Sequence, residues 1–287
     1  MMRRLHICHT TTYAYSQAVA LLPHTMLIRP REGHDVWIES SQLAITPIAT
    51  VQWHRDAYDN SVAVASFAEP ATVLSIQSDV TLQHFDAQPL DFIVPNSAVN
   101  FPFLYDPAER VDLFPYTTAV FPTDYESVGD WVSEFWSPSQ VVETYGLLDT
   151  LNTAIPQRFT YTVREQPGVQ SPATTLLQQG GSCRDFATLF IAACRYLGFA
   201  ARFVSGYLHC PATEAGQGST HAWAEVYLPG VGWKGFDSTS GEVVGSDHIV
   251  VAVHRHPESV PPVMGAFVGQ LSQPPTMQVG VQVTEIN

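Results

Sequence analysis

From residue 5 to about residue 120 the apolar side chains recur at every second position, in short runs cut by turn residues: HICHTTTYAY, HTMLIRP, VWIESSQLAITP, VQWHRDAYDNSVAVASF and ATVLSIQSDVTLQH. A period of two sends alternate side chains to opposite faces of a strand, so each run predicts a half-buried β-strand; almost nothing here repeats at the helical period. Strands at this spacing predict a sandwich-like β domain, with the Asp59-Asn60 pair at a hairpin turn. Residues 86 to 125, rich in proline and aromatics, read as an irregular connection.

The period then changes. Ser137-Pro138 predicts the start of a helix over 138–154, carrying Val142, Tyr145, Leu148 and Leu151 at helical spacing. RFTYTV (158–163) reads as extended, a second helix is predicted from residue 183, and strands are predicted at 201–208, 221–228 and 232–239. Helices followed by strands predict an α+β unit. The expected organisation is a β-rich N-terminal domain over 1–125, an α+β core over 126–270, and a C-terminal tail over 271–287 in which MQVGVQV is a strand candidate.

Composition narrows the partners. The chain has 287 residues, 45% hydrophobic and 14% charged, which is enough to bury a sizeable core. Thirteen basic against 27 acidic side chains, net −14, leave no basic footprint for nucleic acid or an anionic membrane surface. No apolar segment follows Arg3-Arg4 as a secretory leader requires, and no run reaches transmembrane length. Four cysteines (Cys8, Cys183, Cys194, Cys210) are too few for a disulfide framework in a chain this long, so reduced thiols and a cytoplasmic location are expected. The oligomeric state is not legible.

The second helix begins with a thiol. In GGSCRDFATLFIAACRYLGF (180–199), Ser182 and Asp185 fit a capping box, Cys183 is the first helical residue, and Gly198 supplies a stop. Phe186, Leu189, Phe190, Ala193 and Leu197 form one apolar stripe. The N-terminus is thereby left facing outward with its unpaired N–H groups, where a thiol is favoured as thiolate and an oxyanion can be held. Gly180 and Gly181 let the chain turn and leave room for a substrate. The bland alternative is a small buried cysteine, the reading that suits Cys194 on the apolar side.

A cysteine nucleophile needs an imidazole and a group to orient it. HAWAEVYLPGVGWKGFD reads as two strands around Pro229-Gly230, with His221 eight residues before Pro229 and Asp237 eight after it. An antiparallel hairpin centred there brings the two opposite each other within a residue or two. The carboxylate would then fix the imidazole's tautomer, and a thiolate–imidazolium pair is the expected resting state.

GGSCRDFATLFIAACRYLGFAARFVSGYL and STHAWAEVYLPGVGWKGFDST together resemble the core of the transglutaminase-like superfamily, in particular bacterial members regarded as cysteine proteases that carry a β-rich N-terminal domain. The match is strong over roughly 155–245 and weaker over HTTTYAYSQAVALLPHTMLIRPR. The resemblance implies an α+β fold with the cysteine helix packed on an antiparallel sheet, Cys183 as nucleophile, His221 as base and Asp237 as its orienter. Two departures stand out: FDST where the family more often has D-P-T, and VAVHRHPESVPPVMGAFVG, altered around His254 to Glu258 from a G-R-D-like run.

The remaining candidates divide by chemistry. Tyr161 is a candidate oxyanion donor, and Tyr207 and Trp223 are candidate cleft-lining residues, with core packing as the alternative for both. A zinc site from Cys183, His209, Cys210 and His221 lacks the spacing of paired ligands. His254 and His256 read as solvated or hydrogen-bonded, and residues 209–220 as either a mobile rim over the cleft or an ordinary surface loop. No D-x-[DN]-x-[DN]-G calcium loop is present, and no cofactor is expected. The leading expectation is a cysteine-dependent acyl-transfer enzyme acting on a peptide or protein amide, hydrolysing it as a peptidase or amidase or passing the acyl group to an amine as a transglutaminase. The alternative is a catalytically inactive binding or scaffolding protein on the same fold.

Overall fold

In a computed structural model, residues 2–85, 90–164, 166–209 and 219–286 are described. The period-two runs form β1 (Met2–Leu21), β2 (His24–Met26), β3 (Val36–Thr46), β4 (Ala49–Arg55), β5 (Ser61–Phe67) and β6 (Ala71–Phe85). β1 pairs antiparallel with β6 from Met2 opposite Phe85, and β3 adds to the far side of β6. A second sheet joins Val263–Met264, β2, β5 and β4 in that order. Alternation places Leu74, Ile76, Val80 and Leu82 of β6 inside. Tyr15, Val19, Met26, Ile28, Ala63, Ala65 and Ile76, drawn from both sheets, share one core, which is the sandwich-like packing expected. At the hairpin between β4 and β5, Asp59 takes φ +60°, and the Asp56 carboxylate accepts the N–H groups of Tyr58 and Asn60.

The rest of the chain forms α1 (Pro107–Thr117), α2 (Tyr125–Ser133), α3 (Thr144–Arg158), α4 (Pro172–Gln178) and α5 (Cys183–Tyr196), then β7 (Ala201–Leu208), β8 (Ser219–Leu228), β9 (Gly232–Asp237), β10 (Glu242–Val243), β11 (His248–His254) and β12 (Thr276–Glu285). The sheet order β10-β9-β8-β7-β11 is antiparallel throughout. α5 lays its apolar stripe on this sheet: Phe186, Leu189, Phe190 and Ala193 meet Ala222, Ala224, Val226 and Phe236 in one buried cluster. Burying each large side chain contributes about 1.5–3 kcal/mol, so this contact fixes the helix far more firmly than its caps do.

Two expectations shift and one holds. The 86–125 connection contains α1, capped by Asp106 and opened by Pro107, with Pro115 inside it; the prolines and the weak apolar stripe hid it. The helix expected over 138–154 starts at Thr144, because Ser137 to Gln140 close a turn, Val142 pairs with Phe101, and Glu143 rather than Ser137 accepts the first N–H groups. MQVGVQV is a strand, as expected, and β12 pairs with β1 from Leu5 opposite Glu285 to Ala14 opposite Thr276. The C-terminal strand therefore adds to the N-terminal sheet.

Candidate active site

Cys183 opens α5 at the edge of the core, half-buried. The turn in front of it is held by Asp185, whose carboxylate is fully buried. Oδ2 accepts from the Ser182 amide and hydroxyl, both at 2.8 Å, and Oδ1 accepts from the Gln170 amide at 2.7 Å. Arg164 adds bonds of 2.8 and 3.0 Å to the two oxygens. The capping box expected of Ser182 and Asp185 is present, and Asp185 also anchors Arg164 and Gln170. Gly180 and Gly181 pair in parallel with Thr160 and Tyr161, and a Cβ on Gly181 would come 2.8 Å from that of Asp185. Glycine is needed here for close approach.

β8 and β9 bring the other groups. Leu228 opposes Gly232, so the hairpin register is shifted two residues from the one centred on Pro229, and Asp237 stands diagonal to His221. The side chains still meet: His221 Nε2 lies 2.8 Å from Asp237 Oδ2, with both residues buried. Burial alone lowers the His221 pKa, but hydrogen bonds to Asp237 and Cys183, with their charges, outweigh it and push the imidazole up from 6.5 to about 10. Burial likewise raises the Asp237 carboxyl, and the two imidazoles bonded to it reverse this, holding it well below the usual carboxylate range. With Nε2–H directed at Asp237, the nitrogen left for the thiol is Nδ1.

The second imidazole is His248, at the start of β11, for which no local sequence pattern marks a role. Its Nε2 lies 3.1 Å from the same Asp237 Oδ2. Its Nδ1 faces the Gly245 amide at 3.4 Å, which makes Nδ1 the acceptor and Nε2 the donor. Asp237 Oδ1 takes the Thr239 amide at 2.9 Å, so both carboxylate oxygens are occupied. The FDST departure has a local reason: Ser238 donates to Asn152 of α3 at 2.8 Å, tying the turn after Asp237 to the helix.

His221, Asp237 and His248 offer ligand-type atoms within 4.8 Å of one another. A cation between them would need an unprotonated His248 Nε2 and hence a proton on Nδ1, which faces the Gly245 N–H; the donor set therefore suits hydrogen bonding better than a metal. Of the zinc candidates, His209 turns instead to Arg3 and Asp247, each at 3.1 Å, and Cys210 lies outside the described residues. So does most of the 209–220 segment, including the expected rim.

Tyr161 comes to the same place. Burial first, then the charges of Cys183 and Asp237, raise its phenol pKa, and the side chain remains half-exposed. Trp223 is fully buried beneath the cluster, its ring 5.2 Å from that of His248 and perpendicular to it, so it supports the site without lining a cleft. Tyr207 is placed elsewhere: its hydroxyl donates to the Ile28 carbonyl and meets His9 Nδ1 at 2.9 Å, in the seam against β1. His254 and His256 bond to each other, Nδ1 of His254 accepting the His256 amide at 2.9 Å. Beside the thiol-bearing turn, an open polar recess of about 450 Å³ is lined by Thr162, Arg164, Gln166, Gln170, Thr174 and Gln178. A smaller apolar cavity of about 110 Å³ lies at the opposite end of α5 against Ile191, Arg195 and Tyr196, remote from this chemistry.

Residues 140–238 match the model of the transglutaminase-like superfamily, and residues 5–83 that of the bacterial transglutaminase-like N-terminal region. The chain belongs to the transglutaminase-like superfamily. An uncharacterized protein of Mycobacterium tuberculosis (strain ATCC 25618 / H37Rv) is 30% identical over 281 residues, covering 91% of this chain and 87% of its own. One from Mycobacterium leprae (strain TN) is 24% identical over 99% of this chain and 100% of its own. The crystal structure of a "putative cysteine protease" from Cytophaga hutchinsonii shares the fold, with a TM-score of 0.73 at 18% identity over 100% of this chain and 92% of that one. Among the described residues no helix is long and apolar enough to cross a membrane.

Proposed function

We propose that this chain is a cysteine-dependent acyl-transfer enzyme acting on amide bonds, with Cys183 as nucleophile, His221 as general base and acid, and Asp237 as the group that orients His221. The observation that carries the reading is the buried His221, hydrogen-bonded to Asp237 at 2.8 Å and close enough to Cys183, at a helix N-terminus, for that side chain to raise its pKa. An imidazole held protonated up to about pH 10 is the counter-ion a thiolate requires. Its folded-state pKa is raised, so the stability it contributes is fully present below about 6.5 and is lost as pH rises through about 10.

The Cys183 thiolate adds to the amide carbonyl carbon, forming the C–S bond and moving the π pair to oxygen. The unpaired N–H groups of the first turn of α5 receive that oxyanion, and the Tyr161 hydroxyl, whose phenol feels the charge of Cys183, is the further candidate donor. Collapse breaks the C–N bond as His221 gives its proton to the leaving amine, and a thioester remains. Neutral His221 then takes a proton from water or from an acceptor amine as it attacks the thioester. Expulsion of the thiolate restores the starting pair. Water gives a peptidase or amidase, an amine gives a transglutaminase, and access to the thioester selects between them.

Mass-spectrometric labelling tests the reading. Iodoacetamide at pH 6 is expected to alkylate Cys183 faster than Cys8, Cys194 and Cys210, and His221→Ala is expected to slow it. Equal, slow labelling of all four would favour a non-catalytic binding module. A peptide and amine library run against wild type and Cys183→Ala then separates hydrolysis from transamidation.

A further inference from the structure

The turn that carries His248 is more heavily restrained than a surface turn needs to be. His248 N–H closes it on the Gly245 carbonyl at 3.0 Å. The Ser246 carbonyl accepts from His84 Nδ1 of β6 at 2.7 Å and from Arg3 of β1 at 3.4 Å. Arg3 also holds Asp247 at 2.7 Å, and His209 bonds the same carboxylate at 3.1 Å. The N-terminal sheet thus reaches across to fix a four-residue turn of the core. From that turn the His248 ring lies against the buried Trp223. Gly206 of β7 leaves the space: a Cβ there would come 2.5 Å from Trp223 Cη2 and 2.3 Å from the Ile249 carbonyl oxygen.

We infer that His248 is a second positioning residue of the candidate site, whose Nε2–H donates to Asp237 Oδ2 and so holds the carboxylate in the orientation that His221 requires. The tautomer supports this direction of donation, since Gly245 N–H occupies Nδ1. Among the described residues Asp237 Oδ1 takes the Thr239 amide, and Oδ2, the oxygen shared by both imidazoles, sets the angle of the carboxylate toward His221. The N-terminal layer therefore bears on the site through Arg3 and His84, which hold the turn carrying His248. The positioning role takes its catalytic meaning from the proposed function, but the spectroscopic response of His221 does not depend on it.

The test reads His221 directly, by nitrogen-15 histidine spectroscopy of the full chain across pH. The ionisable groups around that ring are Asp237, His248 and Cys183, with Tyr161 beside them, so each variant is compared with wild type under the same conditions. His248→Leu removes the donor; His248→Gln keeps an N–H at the same reach. A hydrogen bond to a charged group is worth about a tenfold to hundredfold change in equilibrium. His248→Leu frees the carboxylate to turn away, so that the His221–Asp237 bond is the one lost; the His221 midpoint is then expected to fall by about one unit or more and alkylation of Cys183 at pH 6 to slow about tenfold, and His248→Gln is expected to restore both. His248→Asn, too short to reach Asp237, gives the same contrast if the leucine variant does not fold. A His221 midpoint that stays or rises in the variants lacking the donor overturns the inference. If His221 responds as expected while wild-type Cys183 labels no faster than Cys194, the positioning role stands and the enzymatic reading falls. Fast wild-type labelling with an unmoved His221 would instead keep the enzymatic reading and remove the positioning role.

Discussion

Asp185→Ala removes a carboxylate with no solvent exposure that accepts hydrogen bonds from Arg164, Gln170 and Ser182. Arg164 would keep its charge at 16% side-chain exposure with nothing opposite, and the Gln170 and Ser182 amides would lose their acceptor. Breaking a buried ion pair from one side costs about 3–5 kcal/mol, because the remaining charge stays desolvated. The loss falls on the turn that presents Cys183, so two measurements should move together. In urea, followed by tryptophan fluorescence and far-ultraviolet circular dichroism, the unfolding free energy should drop by about 3–5 kcal/mol; with a slope near 3 kcal/mol per molar this is a midpoint shift of about 1–2 M. At pH 6, Cys183 alkylation should slow in the folded protein. Asp185→Asn, which keeps one acceptor oxygen, should lose less. A drop under about 1 kcal/mol for the alanine variant would show that Arg164 and the two amides find other partners, and the account of this turn would be wrong.

Three further outcomes are expected. His9 is buried with its pKa lowered by desolvation from 6.5 to about 4, so the unfolded chain binds a proton that the folded one refuses; stability should be full above 6.5 and fall by about 3 kcal/mol as pH drops to 4, a loss that His9→Gln should flatten in denaturant titrations at several pH values. Gly206→Ala should cost about 1–3 kcal/mol by overpacking, and because the intruding methyl meets Trp223, which backs His248, differential scanning calorimetry and Cys183 alkylation should both register it. Tyr161→Phe should slow thioester formation from an amide substrate by up to about a hundredfold while leaving iodoacetamide labelling unchanged, since only the former builds an oxyanion; equal effects on both would assign Tyr161 to packing.

The sequence by itself shows whatever repeats locally. The period-two runs became strands, and the 3–4–7 stripe from Phe186 became α5 with Cys183 at its first position. The hairpin arithmetic brought Asp237 within reach of His221 despite a register two residues away, because diagonal neighbours on one face still touch. Local signals misled where two competed. Ser137-Pro138 has the form of a helix start, yet the chain there closes a turn and Glu143 caps the helix six residues later. α1 was missed because its prolines, one of them well placed at the first helical position, look like breakers.

The sequence alone determined that a thiol would head a helix anchored by its side, since that follows from capping chemistry and helical period, both set within a few residues of Cys183. It could not determine that Asp185 pairs with Arg164, that Trp223 is buried beneath the site while Tyr207 turns away to β1, or that His248 shares an oxygen with His221. Those depend on the order β10-β9-β8-β7-β11, which sets side by side strands separated in sequence, and on the N-terminal sheet that holds the 245–248 turn. A contact between distant segments leaves no period in the chain, and only the packing of the whole fold decides which lone histidine meets which carboxylate.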